Sequence, residues 1–409
     1  MHQTDVSPMA RFATPDQLSA LADVIEARRE EVLAILTVIC TRKAAEYEVD
    51  AAVAALRGAG AEVAEHRPPR VSTIAVFLPS NVVLYSYVLY ALVPSLYASR
   101  IVIRPASHVR ATVTRLHALL APEHGLAIEI RDETQRQFVE RTVSGATVVV
   151  FAGAYQNAER VRARLRRDQI MFFLGSGINP IVVTATADLD RAARGIVDIR
   201  LLNSGQDCLG PDAIWVERCV ADGLLAALDR CLDEVRYGAY DDPRSDYGAI
   251  CYPGIVRDIA DFLDRHQGRI HRGGRIHFRS RHIEPTVLVW DDARRMEILE
   301  FFSPIFNVGL YDDEAAVVET LDAGKYHERA MGATVFGSTR RLESALSHRH
   351  TLTVDETLLS IDDGNAPLGG RGAMANYIAV DGTVHPEPIL LSKGLSAYLP
   401  RLAVEDVSA

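Results

Sequence analysis

The sequence predicts an α/β protein on a parallel sheet. From residue 72 onward, short β-branched runs alternate with helical stretches, the rhythm of strands joined by crossover helices. A chain of 409 residues that is 48% apolar and 24% charged is large enough for two domains and too apolar for disorder. The longest apolar run, "VVLYSYVLYALVPSLYA" at 82–98, is short for a membrane span and carries Pro94 near its end, so it reads as a buried helix.

The elements follow in order. Thr14-Pro15-Asp16-Gln17 is a capping box with proline at the first helical position, and Leu18, Leu21, Val24, Ile25, Val32 and Leu36 continue an apolar face. A second helix over 44–57 is expected to stop at Gly58-Ala59-Gly60. "STIAVFL" (72–78) is a strand, 82–98 a helix, "RIVIRP" (100–105) a strand and 109–120 a helix. "AIEIR" (127–131) and "ATVVVF" (146–151) are strands, the latter running into a helix from 157. A second alternating block opens at "IMFFLGSGINPIVV" (170–183). It continues through a helix at 188–202, a loop holding Cys208, the strand "AIWV" (213–216), a helix at 220–235 and strands to 378. The expected domains are therefore 1–172, 173–376 and a C-terminal return over 377–409.

A net charge of −10 argues against nucleic-acid or membrane-surface partners, which call for a basic face. Five cysteines without a Cys-x-x-Cys pair point away from zinc and disulfide frameworks and toward reduced thiols. With no apolar leader in "MHQTDVSPMARFATPDQ", a cytoplasmic location is expected. No Gly-x-Gly-x-x-Gly follows a strand; "GAGAEV" at 58–63 follows a helix, so the ordinary dinucleotide fingerprint is missing. Cys208 stands out, set between a polar Asn-Ser-Gly-Gln-Asp turn and a Leu-Gly-Pro corner rather than among apolar neighbours.

Several motifs come in a telling order: "FLPSN" (77–81), "RPAS" (104–107), "VVVFAGA" (148–154), "FLGSGINPIVV" (173–183), "NSGQDC" (203–208), "IEPTVL" (283–288), "EFFSP" (300–304) and "PLGG" (367–370). On these motifs, over roughly residues 15–375, the sequence resembles the aldehyde dehydrogenase superfamily. The cysteine segment and "EFFSP" are the specific parts. The resemblance implies a variant Rossmann nucleotide-binding domain, a catalytic α/β domain carrying the thiol, and a β arm for oligomerisation. The short N-terminal region makes a homodimer the expected assembly.

The resemblance also implies roles. Cys208 is the nucleophile that adds to an aldehyde or acyl carbon. Asn81 supplies a side-chain amide to the resulting oxyanion beside the Cys208 N–H; a helix N-cap is its structural alternative. Pro79, Arg104, Ser107, Gly153, Glu300 and Phe302 fall at cofactor-binding positions. Gly153 lets backbone approach the pyrophosphate, while Glu300 and Phe302 hold the nicotinamide ribose and flank its ring. Arg104 and Ser107 replace the commoner lysine and glutamate, and with His108 and Arg110 nearby they favour NADP(H), with NAD(H) as the alternative. The second glycine of the pyrophosphate turn is replaced near Ala158.

One departure bears on the reaction. Where most aldehyde-oxidising members have Glu-Leu-Gly-Gly, this chain has Phe173-Leu174-Gly175-Ser176, and a one-residue slip would put Leu174 at the glutamate position. Neither can activate water, and no carboxylate lies within 169–187. The expected function is thus an NADP(H)-dependent reductase of an activated acyl group, a thioester or acyl phosphate, working through a cysteinyl thioester on a small-molecule substrate. The alternatives are oxidation of an aldehyde to an acid, with a base from elsewhere, and a catalytically degraded relative with a binding role. The basic stretch "GRIHRGGRIHFRSRH" (268–282) could receive coenzyme A, phosphopantetheine or the acidic face of a carrier protein. A solvated hairpin turning at Gly273-Gly274 is the plainer reading.

Overall fold

The computed structural model describes residues 12–405. Three helices come first, Pro15–Ala27, Arg29–Leu36 and Arg42–His66, and the capping box forms as expected, with Thr14 and Gln17 each bonding the other's backbone N–H. The chain then lays down β1 (Val71–Leu78), β2 (Ala98–Pro105), β3 (Ile128–Ile130), β4 (Val148–Ala152) and β5 (Ile170–Leu174). It crosses to a second sheet with β6 (Ile181–Val183), β7 (Ile214–Glu217) and β8 (Ile270–Arg272). A small hairpin follows, β9 (Ile276–His277) and β10 (His282–Ile283), and then β11 (Thr286–Trp290), β12 (Ile305–Tyr311), β13 (Gly332–Phe336) and β14 (Thr351–Val354). Finally it returns to the first sheet with β15 (Asn376–Val380) and β16 (Thr383–His385).

The first sheet has the order β16-β15-β5-β4-β1-β2-β3, parallel from β1 to β5, with β15 antiparallel to β5 and β16 to β15. The second has the order β14-β13-β6-β7-β12-β11-β8, parallel except for β8. In the first sheet β2 and β3 lie on one side of β1, β4 and β5 on the other. The strand order therefore reverses between β1 and β4, and an open α/β sheet leaves its crevice beyond the carboxyl ends of such a pair. The N-terminal helices pack on one face of this sheet, with Ile74, Val76, Val150 and Phe172 beneath them, while Phe77, Val149, Met171 and Phe173 face the other way.

Three expectations are corrected. The second helix does not end at Gly58; it runs on to His66. A side chain at Gly58 would collide with Oδ1 of Asn365, and a Cβ at Gly60 would sit 2.9 Å from that of Pro15. The glycines are there for close packing and terminate nothing. The 82–98 run is not one regular helix: an α turn (Val83–Tyr87) opens into a π segment (Val88–Leu92) and closes as a 3₁₀ turn (Val93–Leu96), where Pro94 has no N–H to return to the preceding turn. Among the described residues no helix is long and apolar enough to cross a membrane. The basic hairpin turns at 278–281, not at Gly273-Gly274, which link β8 to β9 at φ +80° and +94°.

Asn365 is clamped to the long N-terminal helix by bonds from its Nδ2 to the Ala55 carbonyl (3.1 Å) and to Glu62 Oε2 (2.8 Å). Replacing an unconstrained helical glycine by alanine stabilises by up to about 1 kcal/mol. Here Gly58→Ala should instead lower stability by about 1–3 kcal/mol in urea unfolding, because overpacking outweighs propensity.

Candidate active site

The loop carrying Cys208 begins at the end of the helix Leu189–Leu201, where the backbone turns through three successive left-handed residues, Asn203 (φ 48°), Ser204 (φ 60°) and Gly205 (φ 80°). Two of these lack glycine's freedom, so the turn needs outside support. Ser204 Oγ accepts the Gly248 N–H (2.8 Å), Gln206 Oε1 accepts the Cys251 N–H (2.7 Å), and Gln206 Nε2 donates to the Asn203 carbonyl (3.1 Å). Gly205 must be glycine, since a Cβ there would run into the backbone of Ser303.

Beneath the loop lies the buried ion pair of Arg200 and Asp212 (2.9 Å). Arg200 also donates to the Pro211 and Ser303 carbonyls, and Asp212 Oδ1 accepts the Phe301 N–H (3.2 Å). One charge pair thus ties both ends of the cysteine loop to the segment 300–303. From the other side, Asn179 Nδ2 donates to the Cys208 carbonyl (2.6 Å).

Cys208 opens into a cavity of about 620 Å³ that extends from between the two sheets to the carboxyl ends of β1, β2, β4 and β5. Pro79, Asn81 and Arg104 line it from the first sheet, as does Gly153; Glu300 and Phe302 line it from the second. Ser107 is not among the lining residues: it is exposed in the turn before the helix Arg110–His124, since the chain leaves the cavity rim at Ala106. Asn81 does not cap a helix. The helix begins at Val83 with Val82 as its N-cap, and Asn81 Nδ2 instead donates to the Gln206 carbonyl (3.3 Å), which holds the amide against the cysteine loop.

The face presented by β5 decides which side chain meets the thiol. Successive strand residues point to opposite faces. Phe173 is fully buried on the far side, 4.9 Å between ring centres from Tyr377 and 5.9 Å from Tyr155. Of the two residues considered for the glutamate position, it is Leu174 that lines the cavity. Beyond it, Ser176 Oγ donates to Glu300 Oε1 (2.5 Å).

Carboxyl groups line the same cavity as the sulfur, two of them from distant parts of the chain, and sequence reading missed them. Asp207, Asp362 and Glu48 line the cavity with Cys208. Tyr47 and Tyr85 hydroxyls donate to Asp362 (2.9 and 3.4 Å), and Glu48 Oε1 accepts the Tyr85 N–H (3.0 Å). Burial pushes the Asp207 carboxyl up to about 6 and that of Glu48 to about 8, and also raises Asp362. Burial, followed by the charges of Asp207, Asp362 and Glu300, drives the Cys208 thiol well above its ordinary value, offset in part by its own backbone N–H. Only Asp207 carried a signal in the sequence, its place beside the cysteine. Asp362 lies some 150 residues further on, and nothing local marks it.

The cavity fits a dinucleotide by its donor chemistry. Arg104 lines it with its Nε on the Glu133 carbonyl (3.0 Å), and among the described residues no carboxylate pairs with this guanidinium. Gly153, at φ 150°, lines the cavity, and a Cβ there would stand 3.4 Å from the Phe151 ring, so the bare backbone is what a phosphate would meet. Ala158 is fully buried inside the helix Tyr155–Arg162 and does not reach the cavity. The basic stretch 268–282 spends its charge locally: Arg272 on Asp229 and Asp233, His271 on Asp229, Arg275 on Glu284, and Arg269 over the Trp290 ring (4.2 Å).

This fold has counterparts among known proteins. The sequence profile of the aldehyde dehydrogenase family matches residues 7–354, and the chain belongs to that family. It is 27% identical over 285 residues to the 4,4'-diapolycopene-4,4'-dial dehydrogenase of Cytobacillus firmus, covering 67% of this chain and 60% of that one. To the dimeric NADP-preferring aldehyde dehydrogenase of Rattus norvegicus it is 23% identical over 305 residues, covering 70% and 64%. Among solved structures, succinic semialdehyde dehydrogenase from Streptococcus pyogenes with NADP+ superposes with a TM-score of 0.79 at 15% identity, over 94% of this chain and 88% of that one. The chain spans less than two thirds of the length of these two curated relatives.

Two outcomes follow for the site. Breaking the buried pair with Asp212→Leu alone should cost about 3–5 kcal/mol in denaturant unfolding, while Arg200→Met with Asp212→Leu should recover much of that loss, because no unpaired charge is then left inside. Alkylation of Cys208 by iodoacetamide should be slow near neutral pH and climb as pH rises above the ordinary thiol range, since the raised pKa withholds the thiolate until then. Asp362→Asn removes one opposing charge and should move that rise to lower pH; mass spectrometry of the Cys208 peptide reads both.

Proposed function

We propose that the protein is an NADP(H)-dependent reductase that converts an activated acyl group, a thioester or acyl phosphate, to an aldehyde through a thioester on Cys208. The observation that carries this reading is Leu174: the side chain that β5 sends into the thiol cavity is a hydrocarbon. A thioester formed beside it meets no base on that strand to activate water, so it lasts long enough to be reduced.

In this reading Cys208 Sγ attacks the acyl carbon, the bond to the donor thiol or phosphate breaks, and the thiol proton leaves with the donor. The Asn81 amide and the Cys208 backbone N–H flank the carbonyl oxygen while it carries negative charge, each such donor being worth roughly 3 kcal/mol. Arg104 receives the 2′-phosphate of the dinucleotide, the backbone at Gly153 its pyrophosphate, and Glu300 and Phe302 its nicotinamide end, with Pro79 closing the adjacent wall. A bound reduced dinucleotide would supply a hydride to the thioester carbon; the carbon–sulfur bond to Cys208 then breaks, the aldehyde leaves, and the Cys208 sulfur takes back a proton. The first sheet thus serves the nucleotide and the second presents the thiol, and the similarity to a relative named as dimeric supports a homodimer.

Oxidation of an aldehyde to an acid is the second reading. It is favoured by the carboxyls of Asp207, Asp362 and Glu300, any of which could replace the missing base, and by relatives named as dehydrogenases.

Incubation with NADPH and an acyl-coenzyme A should consume NADPH and leave an acyl adduct on Cys208. Brisk aldehyde oxidation with NADP+ and no added thiol would support the second reading. Absence of both adduct and dinucleotide binding would mark a degraded relative. Leu174→Glu should speed hydrolysis of the acyl-enzyme by roughly 10²-fold, the lower range for a positioned general base. Arg104→Ala should reduce the preference for NADPH over NADH about tenfold, the worth of one charge-assisted phosphate bond.

A further inference from the structure

The cavity does not end at the thiol. Past Cys208 it continues under the helix Arg42–His66 and along the π and 3₁₀ turns of 88–96, where Leu89, Val93, Ile389 and Leu390 give it apolar walls. Tyr90 stands near its start, close enough for the Cys208 charge to act on its hydroxyl. Tyr97 and Glu62 line it as well, near enough for the Glu62 charge to act on the Tyr97 hydroxyl. Tyr97 is 2% exposed, and its hydroxyl has no hydrogen-bond partner. A buried hydroxyl left unpaired costs free energy that native structures seldom tolerate. Glu62 meets Ser392 Oγ (2.6 Å) and Asn365 Nδ2 (2.8 Å), so its carboxylate is held in place.

From these features we infer that the inner lobe is a tunnel for a long apolar acyl or alkyl tail, and that the Tyr97 hydroxyl pairs with a polar group, such as an ω-hydroxyl, carried by that tail. This rests on the proposed Cys208 chemistry for the head of the substrate but not on its direction. The wider π turn opens the helix beside Leu89 and Tyr90, and the apolar walls beyond reward each added methylene. At the far end, Tyr97 donates to the tail oxygen and Glu62 can accept from it.

The test uses the full chain with acetyl-, decanoyl- and ω-hydroxydecanoyl-coenzyme A plus NADPH, and in parallel acetaldehyde, decanal and ω-hydroxydecanal with NADP+. Decanoyl should exceed acetyl in kcat/KM by roughly 100-fold or more, from methylene burial alone. Leu89→Trp should bring that ratio toward one. Tyr97→Phe should lower the ratio of ω-hydroxydecanoyl to decanoyl about tenfold, the worth of one buried hydrogen bond to a site built for it. A flat chain-length series in the wild-type protein overturns the tunnel without any variant needing to fold, and an unmoved ω-hydroxyl ratio in Tyr97→Phe overturns the role of that hydroxyl. If the aldehydes alone react but show these preferences, the tunnel stands and the reductase reading falls. If acyl donors of every length react equally, the reductase reading stands and the tunnel falls.

Discussion

The thiol loop depends on the ion pair of Arg200 and Asp212. Both groups are withdrawn from water, which is costly, and the cost is offset by the bonds of the two terminal nitrogens of the guanidinium, to the carboxylate of Asp212 and to the carbonyls of Pro211 and Ser303, while Arg200 Nε stays without a partner. In return the pair fixes the positions where the loop enters and leaves and joins them to the segment bearing Glu300 and Phe302. With those ends fixed, three left-handed residues in succession can persist, and Cys208 is held at the mouth of a cleft between two sheets.

Leu174 belongs to the same geometry. Its side chain faces the cavity because β5 pairs with β4 on one edge and β15 on the other, which leaves no freedom to rotate the strand by one residue. The aromatic cluster of Phe151, Tyr155, Phe173 and Tyr377 takes the opposite face and fixes the alternation. Which residue of β5 borders the cavity is therefore set partly by packing on the other side of the sheet.

Much of this was legible in the sequence. Four strands from 71 to 152 were visible as β-branched runs, the capping box gave the first helix, and the motif order brought seven of the eight proposed site residues to one cavity; "IMFFL" was expected to open the second block, but as β5 it pairs with β4 in the first sheet, so the boundary at 172 cuts a strand. What escaped had tertiary causes. Gly58 and Gly60 carry the local mark of a helix end, but Asn365 and Pro15 pack against them. Phe173 and Leu174 differ by one position, and only strand pairing says which faces the thiol. Asp362 and Glu48 come to the cavity of Cys208 from opposite ends of the chain, so no spacing announces them, and the rise of the thiol, to which Asp362 adds, is first a consequence of burial.

The last strand of the first sheet has a consequence for the growing chain. β5 completes its pairing only with β15, some two hundred residues later, and Gly175 N–H waits for the Ala375 carbonyl. During synthesis the first sheet must therefore stand with a bare edge while the whole second sheet is made, the condition under which unpaired strands recruit neighbours. The final segment acts as a closing latch, and the polypeptide is most exposed to chaperones and to misassembly just before that latch emerges from the ribosome.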